Sequence, residues 1–387
     1  MTPEPTETRK IHVMIVDDSA VIRSIYRRFL SEDPDIKIVA VAENGRLGVE
    51  ALNDKALADS IDIIILDVEM PEMDGLTALP ELKKRAVNAH VIMSSTLTQR
   101  SANVTMRAMS LGASDYVAKP GAIPGSDQKE AFCHEIIGKV KVWAGKRARN
   151  TAPSSPATPT TTQAVATATA PTPPAARPVI ATPKVEFTLR KAPFTPPKAL
   201  AIGGSTGAPQ ALITLFTALH GRLPNIPIFI TQHMPPIFTG LLAQNIEKAC
   251  GRSCKEAQHE EPVDPHSIYV APGDHHMQVG GSPVLRLKVT QDPPVNFCRP
   301  AVDPMLASLS TAYGSALLTV ILTGMGSDGL TGCRQVTQHG GTVIAQDQET
   351  SVVWGMPGVV TKDGLCSAVL PLEALAPKIV ELCHARG

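Results

Sequence analysis

The 26-residue tract 151–176, TAPSSPATPTTTQAVATATAPTPPAA, divides this chain. Twenty-two of its residues are Ala, Thr or Pro, and none is charged or aromatic. Such a stretch buries too little apolar surface to offset the entropy of ordering it, so it reads as a Pro-stiffened, semi-extended linker. Folding is therefore expected separately on its two sides. The expected division is a domain over 10–130 with a last helix to about 147, a linker over 148–197, and a second domain over 198–387. Within the linker, 177–197 add charges, Phe187 and Phe194, and can lie along a domain surface. A chain of 387 residues is long enough for a full hydrophobic core on each side.

Charge and patterning exclude several function classes. The 36 Lys+Arg balance 36 Asp+Glu, so no bulk positive charge drives nucleic-acid binding. The basic stretch KVKVWAGKRAR (139–149) closes a helical pattern and reads as a solvated face, and nothing after 150 resembles a helix-turn-helix. No apolar run approaches 18 residues, so no membrane-spanning helix is expected, and the polar segment 1–10 does not read as a signal peptide. The seven scattered cysteines point to a reducing cytoplasm rather than a disulfide framework. Cys250 and Cys254 with His259 lack four ligands at zinc spacing. His275 and His276 are expected in a loop near a groove.

In the first domain, apolar runs at 11–16, 36–41, 61–66, 91–93 and 115–117 alternate with amphipathic stretches at 20–30, 45–52, 75–85 and 102–111. Near-continuous apolar strands imply a parallel sheet buried on both faces, and repeated β-α units imply a doubly wound fold. The functional crevice of such a sheet lies at the carboxyl ends of its strands. Asp17 and Asp18 follow the first strand, Asp67 ends the third, Ser94 and Ser95 end the fourth, and Lys119-Pro120 follow the fifth. Any one Asp there is as readily a helix N-cap. Three carboxylates at one edge repel one another and call for a divalent cation, and oxygen ligands suit Mg²⁺. A lysine and a hydroxyl beside them would bind phosphoryl oxygens, so the chemistry read here is phosphoryl transfer onto a carboxylate.

The segments VDDSAVIR (16–23) and DVEMPEMDG (67–75), with Tyr116 and Lys119-Pro120, resemble a two-component receiver domain. The resemblance implies a flavodoxin-like fold with Asp67 as phosphoacceptor. It implies Mg²⁺ organised by Asp17, Asp18, Asp67 and the Glu69 backbone carbonyl. Ser94 and Tyr116 would be the switch residues and Lys119 the contact to the phosphoryl group. A histidine kinase would be the phosphodonor.

In the second domain, apolar runs at 199–202, 226–231, 317–322 and 341–345 also end in polar or Gly-rich loops, with helical patterns at 210–219, 241–249 and 330–338. A second, mostly parallel α/β sheet is expected. The loop 203–207, GGSTG, meets neither nucleotide-binding motif but fits G-x-S-x-G, a strand–turn–helix elbow presenting Ser205. Glycines there permit a strained turn, and amides at the helix start can face an oxyanion. A serine needs a base, and His233 stands at a strand's carboxyl end on the same edge. The base needs an orienting carboxylate. Asp328, in a Gly-rich loop directly after a strand, is preferred over Asp347, Asp303 and Asp274. The order Ser…His…Asp differs from that of α/β-hydrolases, which points to a distinct α/β fold.

The stretches AIGGSTGAP (201–209), QHMPPIFT (232–239), YVAPGDHHM (269–277), RPAVDPM (299–305), LTGMGSDG (322–329), AQD (345–347) and GMP (355–357) resemble the chemotaxis methylesterase family CheB, as does the receiver–linker–esterase order. The resemblance implies two doubly wound parallel-sheet α/β domains, the second a Rossmann-like methylesterase. It implies hydrolysis of glutamyl methyl esters, and deamidation of glutamines, on chemoreceptors. It implies Ser205 as nucleophile, His233 as base and acid, Asp328 as its orienter, and the Met325 amide as oxyanion donor. Mg²⁺ would serve receiver phosphorylation only, with no cofactor for ester hydrolysis. No nucleic-acid partner and no membrane insertion are expected, and the expected state is a monomer. Two rival readings are a non-catalytic phospho-dependent docking protein and an esterase serving a receptor array unrelated to motility.

Overall fold

The computed structural model describes residues 9–119, 126–150, 187–191 and 195–384; Pro120, Phe194 and the tract 151–176 fall outside the described residues. The first half runs β1 Ile11–Val16, α1 Ala20–Glu32, β2 Ile36–Ala42, α2 Gly45–Ala51, α3 Lys55–Ser60, β3 Ile63–Asp67, α4 Gly75–Arg85, β4 His90–Ser95, α5 Gln99–Ser110, β5 Asp115–Ala118 and α6 Ser126–Asn150. The second half runs β6 Ala199–Gly204, α7 Ala208–Ala218, β7 Ile228–Gln232, α8 Phe238–Cys250, β8 Cys254–Glu256, β9 Ile268–Val270, β10 His276–Gly280, β11 Arg286–Thr290, α9 Val302–Tyr313, β12 Leu317–Ile321, α10 Leu330–Gln338, β13 Thr342–Gln346, α11 Met356–Lys362, β14 Ala368–Leu370 and α12 Leu372–His384.

The first sheet is parallel, in the order β2-β1-β3-β4-β5. Its strands read as unbroken apolar runs because both faces are covered. Met14 and Val16 pack into one cluster while Val13 and Ile15 pack into the other. Five of its helices begin at a side-chain cap: Ser19, Asn44, Asp54, Asp74 and Thr98 each accept from an amide two or three residues on. The short helix α3 is an element that the hydrophobic pattern did not suggest.

The second sheet has the order β14-β13-β12-β6-β7-β9-β8, again with every pairing parallel. The chain builds outward from β6 through β7, then returns to build outward from β12. The order therefore reverses between β6 and β12, which is where such sheets open a crevice. The edge strands β8 and β14, and β9 beside β8, are three residues each, too short to show a period in the sequence. A separate antiparallel pair, β10–β11, was not expected either. It corrects the reading of His276, which is a buried first residue of β10 rather than a loop residue. The His276 Nδ1 accepts from the Ala301 amide at 3.2 Å, fixing the approach to α9.

The segment 187–191 lies on the second domain, where the Arg190 amide donates to the Cys366 carbonyl at 2.8 Å. The two sheets' layers meet directly. Helix α5 packs against α8, and the Tyr116 ring stacks on Phe238 at 4.7 Å and 6°. Gln210 donates to the Met109 carbonyl at 2.6 Å. No helix among the described residues is long and apolar enough to cross a membrane.

Candidate active site and acidic pocket

The acidic pocket sits where the first sheet's order reverses. Asp17 follows β1 and Asp67 ends β3, and with Asp18 they bring ligand oxygens within 4.8 Å of one another. Asp17 and Asp67 are buried. Lys119 Nζ stands 2.9 Å from Asp17 and 2.7 Å from Asp67. Burial pushes the Asp67 carboxyl up; Lys119 pulls it back and the two neighbouring carboxylates add to the rise, leaving it at about 6. One lysine thus leaves the carboxylates under-compensated, and an all-oxygen donor set of this kind fits a hard divalent cation. The Glu69 side chain accepts from Ser101 at 3.0 Å, so any part it plays in metal binding falls to its backbone carbonyl.

Ser94 lies beside Asp67 in the β3–β4 register. It is buried, and its hydroxyl pairs with the Tyr26 hydroxyl at 2.7 Å. Tyr26, on α1, was not singled out from the sequence. Burial raises its phenol far above the ordinary value, so it stays a neutral hydrogen-bond partner. Lys119 and Tyr116 end at opposite sides of the same short strand: the lysine reaches the acidic pocket and the tyrosine reaches Phe238 in the second domain.

The second site is built by three loops on the β6/β7/β12 edge. Ser205 follows β6, and its amide donates to the Thr323 carbonyl at 3.1 Å. The left-handed residue of the elbow is Gly207 (φ 78°), so a glycine carries the turn, and Ser205 does not share that conformation. Gly324 passes so close that a Cβ there would stand 2.9 Å from the Ser205 Cβ. This contact sets the 323–326 loop against the serine. Helix α7 starts with no side-chain cap, and the Met325 amide donates to no described group. The first α7 amide, Ala208, is taken by the Ser205 carbonyl and Pro209 has no N–H, so it is the Met325 amide that can face an oxyanion.

His233 follows β7, and its Nε2 stands 2.7 Å from Asp328 Oδ2. Asp328 is buried yet collects further donors: the amides of Val302, Asp303 and Gly329, and the Asn296 side chain. The α9 start, which has no cap of its own, is thus capped by Asp328, while the first turn of α10 is capped by Asp303 through the Gly332 amide. Burial opposes the charge on Asp328, but His233, Val302 and Asn296 outweigh it and hold the carboxyl below its usual range. Burial likewise opposes the imidazolium, but Asp328 and Cys298 outweigh it, so His233 binds a proton more tightly than usual. A carboxylate only accepts, so Nε2 carries the proton and Nδ1 is the basic nitrogen. The Cys298 thiol stands 3.4 Å from Nδ1, and the Ser205 hydroxyl makes no hydrogen bond among the described residues.

The other carboxylates have separate work. Asp303 receives the Gly332 amide and Asn296, Asp274 pairs with Arg299, and Asp347 receives Thr350. Asn296 and Cys298 are further site residues that the sequence reading missed. They belong to a tight turn closed by Val295 and Cys298, with no hydrophobic period to mark it.

Known protein families match both halves of the chain. Residues 13–125 match the response regulator receiver domain model, and 200–379 match the CheB methylesterase model. A relative from Rhodospirillum rubrum, protein-glutamate methylesterase/protein-glutamine glutaminase 1, is 45% identical over 382 residues, covering 97% of this chain and 96% of its own. A protein-glutamate methylesterase/protein-glutamine glutaminase from Azospirillum brasilense is 46% identical over 386 residues, covering 95% and 92%. The solved Thermotoga maritima CheB methylesterase catalytic domain is 40% identical, covering 48% of this chain and 98% of its own, with a TM-score of 0.47.

Proposed function

The chain belongs to the CheB methylesterase family, and from that premise we propose that Ser205, His233 and Asp328 hydrolyse glutamyl methyl esters of chemoreceptors, under control of phosphorylation at Asp67. The observation that carries the reading is the His233–Asp328 hydrogen bond, 2.7 Å, at strand ends adjoining Ser205. His233 Nδ1 takes the Ser205 proton as Oγ attacks the ester carbonyl. The developing oxyanion faces the Met325 amide, which donates to no other described group. Collapse of this intermediate breaks the bond to the methoxy group, which leaves as methanol with the proton from His233. Water then attacks the acyl-enzyme, again giving its proton to His233, and Ser205 is released with a glutamate carboxylate. Glutamine deamidation follows the same path with ammonia as leaving group. For Nδ1 to act, Cys298 has to yield its place there.

Mg²⁺ held by Asp17, Asp18, Asp67 and the Glu69 carbonyl would neutralise charge during phosphoryl transfer from a histidine kinase. Lys119 and Ser94 would receive the phosphoryl oxygens, which requires Ser94 to leave Tyr26. The resting receiver restrains the catalytic edge. Tyr116 stacks on Phe238, and the Met325 thioether lies against α6, where a Cβ on Gly138 would stand 2.7 Å from its sulfur. Val352, which packs on the receiver's apolar cluster, also presses against Gly207 of the serine loop. Phosphorylation shifts the population away from this arrangement. Domain limits of 10–130 and 198–387, joined through 148–197, and a monomeric state are part of the same proposal.

The test is methanol release from methylated chemoreceptor membranes, with and without acetyl phosphate. Wild type is expected to release methanol and to respond to the phosphodonor, Ser205→Ala to release none, and Asp67→Ala to ignore the phosphodonor. Release independent of Ser205 would overturn the assignment.

A further inference from the structure

Beside the His233–Asp328 pair is a tight turn whose most conspicuous residue, Phe297, is buried against nothing in the described residues. Val295 and Cys298 exchange both backbone hydrogen bonds, at 3.1 and 2.9 Å, leaving Asn296 and Phe297 as a two-residue loop. Both loop residues have positive φ, 52° and 62°. This is the type I′ conformation, which favours Asn followed by Gly because the second position suits a residue without a Cβ. Asn296 fits its position. Phe297 occupies the place of the glycine, where a bulky side chain is strained.

Three constraints hold the turn in place. Asn296 donates to Asp328 and to Asp303, each at 3.0 Å. The Cys298 thiol stands 3.4 Å from His233 Nδ1. Phe297 is thus pinned between contacts to the site's carboxylate and to its imidazole, and cannot relax without disturbing one of them. Phe297 is nevertheless fully exposed, the most exposed large apolar residue among the described residues. Met325, on the opposite loop beside Ser205, is also partly exposed. An aromatic ring kept in water, on a backbone it strains, contributes no burial to the folded chain. Its burial has to come from what binds the site.

We infer that Phe297 is a docking residue for the protein substrate, covering its ring with the apolar side chains that flank the esterified glutamate on a receptor helix. The inference rests on the esterase reading above. A methyl ester side chain alone is too small to cover a phenyl ring placed on the rim, whereas a helix laid across the edge brings residues one turn away on either side of the reacting one. Recognition through Phe297 would therefore appear in the capture of a protein and be missing from the hydrolysis of a small ester.

The experiment compares kcat/KM of the full-length protein on two substrates: the methylated cytoplasmic fragment of a chemoreceptor and N-acetylglutamate γ-methyl ester. For Phe297→Ser and Phe297→Gly, the ratio of protein to small-ester kcat/KM is expected to fall at least ten-fold, mostly through KM. Phe297→Trp is expected to restore most of it. Phe297→Gly should also melt no lower than wild type, because glycine relieves the turn. Parallel loss on both substrates would overturn the inference, since Phe297 would then be shaping the site. An unchanged ratio would overturn it too, as would self-association of the wild type that Phe297→Ser abolishes, which would make a second copy the occupant. Absence of Ser205-dependent hydrolysis of either substrate by wild type would instead reject the esterase reading itself.

Discussion

Asp328→Asn is the substitution whose outcome the geometry constrains most tightly. Asp328 Oδ2 accepts from His233 Nε2 at 2.7 Å and from the Val302 amide at 2.5 Å. Its Oδ1 accepts from Asn296 at 3.0 Å, Asp303 at 3.2 Å and Gly329 at 3.0 Å. Every neighbour is a donor, so an asparagine must set its NH₂ against donors wherever it turns. Placed at the Oδ1 position, it would oppose three of them. Placed at the Oδ2 position, it opposes two, and one of these, His233, can change tautomer. The second placement wins. His233 then accepts at Nε2 and carries its proton on Nδ1, the nitrogen that has to receive the Ser205 proton. In Ser-His-Asp enzymes an inverted tautomer lowers kcat by about 10⁴, or about 5 kcal/mol in the barrier. The Val302 amide is left buried without an acceptor, which costs about 1–3 kcal/mol and lowers the melting temperature by about 2–12 °C in a domain of this size. The assay is single-turnover methanol release alongside a thermal melt of the same preparation. A folded Asp328→Asn protein that keeps more than about a tenth of the wild-type rate would refute the tautomer argument.

Two further outcomes follow from the receiver half. As the proposed phosphoacceptor, Asp67 has to attack as a carboxylate, and its folded-state pKa is raised to about 6. Labelling by acetyl phosphate is therefore expected to be full above that pH and to fall about ten-fold per unit below it, with added Mg²⁺ moving the midpoint down; a flat profile from pH 4.5 to 7.5 would contradict the crowding of carboxylates. Tyr116→Leu keeps much of the buried volume but removes the stack on Phe238. Such a stack is worth about 0.5–1.5 kcal/mol beyond burial, so esterase activity without phosphodonor is expected to rise about 2- to 13-fold; unchanged basal activity would show that the stack does not restrain the catalytic edge.

Most of the strand framework was readable because a parallel sheet buried on both faces demands unbroken apolar runs. Ile63–Leu66 and Leu317–Ile321 are fully buried runs of this kind. The residues that follow such runs stand at one edge whatever the sheet order, which is why Asp17, Asp67, Ser205 and His233 could be picked out. Shorter elements carried no such signal: β8, β9 and β14 have too few residues for a period.

Hydrophobic pattern alone thus specifies the two parallel sheets, the division between them, and the set of polar residues that directly follow their long strands. Tertiary structure decided which members of that set meet. Asp328, rather than Asp303, Asp274 or Asp347, reaches His233 because the sheet order reverses between β6 and β12, setting loops 95 residues apart side by side. Tyr26 meets Ser94 across 68 residues, and Cys298 meets His233 across 65. The stacking of Tyr116 on Phe238 joins the two domains in the same way. The physical reason is common to all of them. Local pattern records burial, which each residue experiences along its own strand or helix, whereas a hydrogen bond or ring contact between loops exists only once the elements beneath have packed in their final order.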